Sequence, residues 1–360
     1  MSASTPRRPR AGFTLVELVL AAGLFSLLIV VLLKLVDTSV TIWGRTDENR
    51  ELAEIGGAVM ELLSDDVNAL EGGQRGDLVA DWRYFDLDRD GLASAPGQRL
   101  RLVRHLDAAG LQRLAGAEGA GPLETFERGR IEVAWALLPG PAANPDERPI
   151  GTLVRGERRL DDEDTLSFFD RGFFGPSGQP VPGALFEVAG GVLWFEILCA
   201  TQTTILHDGW ELGADLKHAS ASWDAWNKGR PEVEAAALNL APTGMPQAKD
   251  VPLLPRRVRI ALELERPRDL RLRTRLTQAV NVQDGTLVVR DGRKLPAPGA
   301  LILVDEEWME VVAVNEERVS VRRGQRSTRA ATHAAEALVH HGWRLVREVP
   351  VDMTREDWDL

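Results

Sequence analysis

Gly12-Phe13-Thr14-Leu15-Val16-Glu17, followed by an almost unbroken apolar run from Leu18 to Leu33, is the stretch around which the chain is organised. From Phe13 to Val36 only Thr14, Glu17, Ser26 and Lys34 interrupt apolar or small residues. At about 1.5 Å of rise per residue, about 20 such residues cross the roughly 30 Å hydrocarbon core of a bilayer. The pattern predicts a transmembrane helix over residues 13–36. Glu17 stands near its start, where an unpaired carboxylate is costly, so a cation at the same depth is expected beside it. An α-amino group on Phe13, freed by cleavage after Gly12, would be such a cation. An ordinary secretory signal ends its apolar core in a small-residue cleavage site. Lys34-Leu35-Val36-Asp37 offers none.

Arg7, Arg8 and Arg10, then Gly12, Phe13 and Glu17, resemble the class III signal of type IV pilins and type II secretion pseudopilins. The resemblance implies that residues 1–12 are a leader peptide and that a prepilin peptidase cuts the Gly12–Phe13 bond. It also implies that Phe13 is N-methylated and that Glu17 pairs with a neighbouring subunit's terminus during assembly. The arginines before the apolar run, with only Lys34 and Arg45 close after it, place the leader in the cytoplasm. A single-pass protein of the inner membrane with a periplasmic body is expected.

The 360 residues leave room for about two domains. The net charge of −11 becomes more negative when the leader's three arginines are lost, which argues against a nucleic-acid surface. Cys199 is the sole cysteine, so no intrachain disulfide can form, and its apolar setting predicts a core residue.

Beyond the membrane span, Leu52, Ile55, Val59, Leu62, Leu63, Val67 and Leu70 recur at helical spacing, with Glu51, Glu54, Glu61, Asp65 and Asp66 between them. An amphipathic continuation of the helix is expected over 37–70, stopping near Glu71-Gly72-Gly73, with Gly44 and Gly56-Gly57 as places where it bends or loosens. Strand candidates follow at Gln98 to Arg104, Arg130 to Leu138, Gly151 to Arg155, Val192 to Cys199 and Arg257 to Glu265. In the last, Val258, Ile260, Leu262 and Leu264 alternate with Arg257, Arg259, Ala261 and Glu263, which predicts one buried and one wet face; Val133, Trp135 and Leu137 alternate likewise. The expected fold class is α+β. A long N-terminal transmembrane and amphipathic helix is expected to pack on an antiparallel β-rich head over 71–265, closed by a strand at 343–351, with a small all-β module over 266–342 inserted before that strand.

The order Val133-Ala134-Trp135, Gly151-Thr152-Leu153-Val154-Arg155, Val192 to Leu198, Trp223 and Trp226, then Leu254-Pro255-Arg256-Arg257-Val258 resembles the J-type minor pseudopilin of type II secretion. The inserted stretch carries Glu307-Trp308-Met309-Glu310-Val311, then Val321-Arg322-Arg323-Gly324, Thr328 and His333. It is similar to a small β-module that recurs in phage-related and surface proteins.

Other chemistry is sparse. Asp86, Asp88 and Asp90 with Gly91 form the first half of a calcium loop, a candidate calcium site, but Gly97 stands where the closing glutamate belongs and a solvated acidic turn competes. The histidines lack metal spacing: His105, His207, His218 and His333 are isolated, and His340 and His341 would point to opposite faces of a strand. The expectation is a non-enzymatic minor pseudopilin, a structural subunit at or near the tip of the type II secretion pseudopilus. Its partners would be the other major and minor pseudopilins, the prepilin peptidase, the inner-membrane secretion platform and membrane lipid. The alternatives are a minor type IV pilin for adhesion or DNA uptake, or a membrane-anchored envelope binding module.

Overall fold

A computed structural model describes residues 15–72, 76–85, 95–106, 129–140, 150–160, 162–170, 172–175, 179–200, 219–220, 222–226, 254–265 and 273–351. The chain divides into two compact units, residues 1–53 and 54–360. One helix, α1 (Leu15–Asn68), runs through the first and into the second without a break at its glycines. Within the second unit α1 is amphipathic: Val59, Met60, Leu63 and Val67 are buried, while Glu61 and Asp65 are exposed. Two residues depart from the expected pattern. Ile55 is exposed, and Asp66, which reads as part of the wet face, is fully buried.

Fifteen strands follow among the described residues. They are β1 (Leu78–Phe85), β2 (Ala95–His105), β3 (Arg130–Pro139), β4 (Gly151–Arg159), β5 (Phe186–Ala200), β6 (Ala219–Ser220), β7 (Trp223–Asp224) and β8 (Arg257–Leu264). Then come β9 (Thr274–Arg275), β10 (Thr286–Val288), β11 (Leu301–Val304), β12 (Glu307–Asn315), β13 (Arg318–Gln325), β14 (Leu338–His340) and β15 (Trp343–Pro350). One antiparallel sheet of nine strands has the order β15-β8-β5-β4-β3-β2-β1-β7, with β6 on β5. A second sheet of six has the order β10-β13-β12-β11-β14-β9. The protein is thus α+β, with its apolar helix at the N-terminal end and a β-rich head. β1 has no counterpart in the sequence reading, and β5 begins at Phe186, six residues before the expected start.

The larger sheet is covered on both faces, which the alternation in β3 did not foretell. Trp135 faces α1, whereas Ala134 and Ala136 pack against Phe168, Phe173 and Phe174 of the chain between β4 and β5. Glu132 holds that segment down by accepting from the Phe168 N–H at 2.8 Å and the Ser167 hydroxyl at 2.9 Å. In β8 the expected wet face is also partly closed: Ala261 and Glu263 are buried. Beyond Val192, β5 leaves β4, and the Gln98 amide of β2 takes up the freed Ile197 backbone, donating to its carbonyl at 2.8 Å and accepting from its N–H. A side chain here does the work of a missing strand.

The six-stranded sheet closes on itself. Leu276 bridges Val289, with Thr277 N–H on Val288 O and Arg290 N–H on Arg275 O, both at 2.9 Å, so β9 and β10 meet and a small barrel results. Its core is Leu276, Leu287, Ile302, Met309, Val311 and neighbouring valines. Closure leaves few free edges, which removes a route to misassociation. β8 and β15 pair directly, from Trp343 opposite Leu264 to Pro350 opposite Arg257. The barrel therefore leaves the sheet at the end of β8 and returns into β15.

Burial of Asp66 has a clear cause. Its carboxylate accepts from Trp135 Nε1 at 2.7 Å, from Arg155 Nε and Nη2 at 2.8 Å each, and from Arg104 Nη1. Trp135 and Arg155 are cross-strand partners in β3 and β4, and Arg104 lies near the end of β2. One helix residue thus binds three strands. Elsewhere on its buried side the helix meets β15: a Cβ on Gly56 would collide with a Leu345 methyl, and Arg347 donates to Ser64 Oγ at 3.2 Å. Gly56 is a close-approach residue where the helix meets β15. Asp66→Ala should lower the unfolding free energy of the detergent-solubilised chain by about 3–5 kcal/mol, because buried guanidinium charge loses its partner. Asp65→Ala, on the wet face, should stay within about 0.5 kcal/mol. Paired urea titrations check both.

Candidate functional site

The N-terminal unit holds the residues on which function was expected to turn. Leu18–Val36 is long and apolar enough to cross a bilayer, and none of it is buried in the protein. Leu24, Phe25, Leu28 and Val31 are all more than half exposed, a surface unsuited to water over such a length. Two of its hydroxyls are satisfied locally. Ser26 donates to Ala22 O at 2.9 Å and, just past the span, Ser39 donates to Leu35 O at 2.8 Å, as hydroxyls do in helices that lie in lipid. Glu17 lies on this helix, near the N-terminal end of its described part. Gly12 and Phe13 lie outside the described residues, as do Asp86, Asp88 and Asp90 of the candidate calcium loop.

The prokaryotic N-terminal methylation motif matches residues 7–33, which takes in Gly12, Phe13, Glu17 and most of the apolar run. The chain thus carries a type IV pilin-like prepilin signal joined to an apolar N-terminal helix that is compatible with a single membrane anchor. No curated protein matches the chain.

In the head, the barrel motif gathers into one cluster around Glu307, whose carboxylate is buried at the start of β12. It accepts from Arg323 Nε at 2.7 Å and Nη2 at 2.6 Å, from the Gly324 N–H at 3.0 Å and from the Ala331 N–H at 2.9 Å. His333 joins it through Nε2 at 2.9 Å and reaches Asp305 through Nδ1 at 2.6 Å. Thr328 completes the set: its hydroxyl accepts from the Trp308 N–H at 3.0 Å and donates to Gln325 O at 2.7 Å. Gly324 has φ +65, the left-handed region that suits glycine. His333, isolated in sequence, is therefore not isolated in space; the motif that contains it was the available signal. Both imidazole nitrogens are held by carboxylates, which makes this a structural cluster that staples the β13–β14 connection to β12.

Three other histidines have partners, each through one ring nitrogen. His340 Nδ1 lies 2.9 Å from Glu265, His341 Nε2 lies 3.0 Å from Lys294 O, and His105 contacts Glu71. Cys199 is buried, and burial pushes its thiol pKa up, so it stays a protonated core residue.

Glu307 and His333 give the barrel a pH window. Burial pushes the Glu307 pKa up, but the donors from Arg323, His333 and the two backbone N–H groups outweigh it and bring it down to about 2. Burial pushes the His333 pKa down, but its hydrogen bonds to Asp305 and Glu307 outweigh that and raise it above the ordinary 6.5. Stability from Glu307 is present above its ordinary 4.5 and is lost as pH falls towards about 2. Stability from His333 is complete below 6.5 and is lost as pH rises through its folded value. The urea midpoint of the barrel, read by hydrogen exchange in β12, should therefore be higher at about pH 5.5 than at about pH 8.5. His333→Asn should remove most of that difference.

Proposed function

We propose that the chain is a minor pseudopilin, a structural subunit at or near the tip of the type II secretion pseudopilus. The observation that carries this reading is the junction of a prepilin signal with a membrane-length apolar helix that continues, unbroken, as the amphipathic helix of a β-rich head. In this reading a prepilin peptidase cuts after Gly12 and Phe13 is methylated. Glu17 pairs with the terminal amine of a neighbouring subunit as the helix passes from the bilayer into a filament core. The head stands in the periplasm, and the partners are the other pseudopilins and the inner-membrane secretion platform. No catalytic step is assigned to the protein. The J-type assignment is supported by the order of features from Val133 to Val258. Trp135 and Arg155, two members of that order, are the cross-strand pair that receives Asp66 of the helix.

Glu17→Ala separates assembly from insertion. Removing a carboxylate from hydrocarbon favours insertion, so the variant should be cleaved and membrane-bound. What it lacks is the charge that sets one helix's depth against the next, a registry role of the kind buried charges can play. In-cell cross-linking should capture the wild type with other pseudopilins and the variant at less than about a tenth of that yield, a loss of about 1.4 kcal/mol of association. Normal cross-linking and secretion with alanine at this position would remove Glu17 from the mechanism. Cross-links to type IV pilins in place of pseudopilins would favour a minor type IV pilin.

A further inference from the structure

The barrel and the nine-stranded sheet meet at a seam of tryptophans. Leu193 and Trp194 of β5 pack with Leu303 of β11 and Trp308 of β12, and Trp82 of β1 lies against the same cluster. The Trp194 ring is 5.4 Å from Trp82 and 5.9 Å from Trp308, the second contact edge-to-face at 79°. Into this seam the turn after β13 inserts Arg326. Its guanidinium carbon lies 4.0 Å from the Trp308 ring centre and 4.6 Å from that of Trp194, and its Nη2 donates to Glu263 Oε2 at 2.7 Å. The side chains of Arg326 and Glu263 are only 8% and 5% exposed. Arg326 and Ser327 hold φ of +52 and +60, a left-handed backbone that non-glycine residues seldom adopt, in the turn that Thr328 ties to Trp308.

The ownership of these groups matters. Arg326 and Trp308 belong to the barrel, whereas Glu263, Trp194 and Trp82 belong to the sheet. The ion pair and the Trp–Arg–Trp stack therefore exist only while the barrel is docked. Undocking would separate a charge pair and wet indole faces at once, so its cost is concentrated in a few side chains. An inserted domain on two linkers has no need of such a turn; one displayed at a fixed angle does.

We propose that Arg326 is the positioning residue that couples the barrel to the sheet, so that the head carries the barrel in one orientation and the two open together. This holds whichever filament the chain serves. The test is hydrogen exchange of the full chain in detergent, read separately in β12 of the barrel and β3 of the sheet. Val311→Ala, a methyl-removing change in the barrel core, is the perturbation, with Met309→Leu as a second variant should the first fail to fold. With Arg326 present, the perturbation should speed exchange in β12 and β3 alike, by about tenfold for a loss near 1.4 kcal/mol. In an Arg326→Ala background it should speed exchange in β12 and leave β3 unchanged. The proposal is overturned if β3 is indifferent to the barrel perturbation while Arg326 is present, since the parts are then uncoupled. It is equally overturned if β3 responds by the same factor with and without Arg326, since the coupling then runs through other contacts.

Discussion

A fully buried carboxylate at Asp66 holds the helix to the head. Left alone in the interior, such a charge would be among the most costly groups in the molecule. Here it receives hydrogen bonds from an indole and two guanidinium groups on three successive strands. The arrangement has directional consequences that apolar packing lacks. Sliding the helix by one residue would strand Asp66 among cations it no longer reaches, and shifting β3 against β4 would separate Trp135 from Arg155. Helix phase and strand register are set together at one point, and Gly56 against Leu345 and Ser64 against Arg347 hold the buried side of the helix to β15 as well.

This constraint acts where the helix lies on the sheet. The Asp66 cluster fixes the helix through charge-assisted bonds that resist its rotation on the sheet. The barrel follows the sheet through a second buried ion pair, Arg326 with Glu263, set between tryptophans.

The parts legible in the sequence are those governed by local chemistry. Phe13 to Val36 reads as a membrane span because apolar length decides it, and Arg257–Leu264 reads as a strand because its alternation is clean. Asp66 was not legible as a core residue. It stands seven residues after Val59, itself seven after Leu52, so its phase is that of the buried stripe, but a carboxylate there reads as a wet face until its donors are known. Those donors come from Arg104, Trp135 and Arg155, far away in the chain. β1 escaped for the same reason: Asp81 interrupts its apolar pattern, yet it is buried through ion pairs to Arg99 and Arg101 of β2. Glu263 completes the set, since the cation that permits its burial lies 63 residues on. Each of these three is a charge whose partner is distant in sequence and adjacent in space, which periodicity cannot register.

The central claim is that the chain is matured as a prepilin, and the mass and sequence of its N-terminus in the native membrane test this directly. Terminal peptide analysis of the wild-type protein, purified from its own envelope, should find a chain that starts at Phe13 and carries a methyl group on its α-amine. A chain that still begins at Met1, or one cleaved elsewhere than after Gly12, would contradict the account.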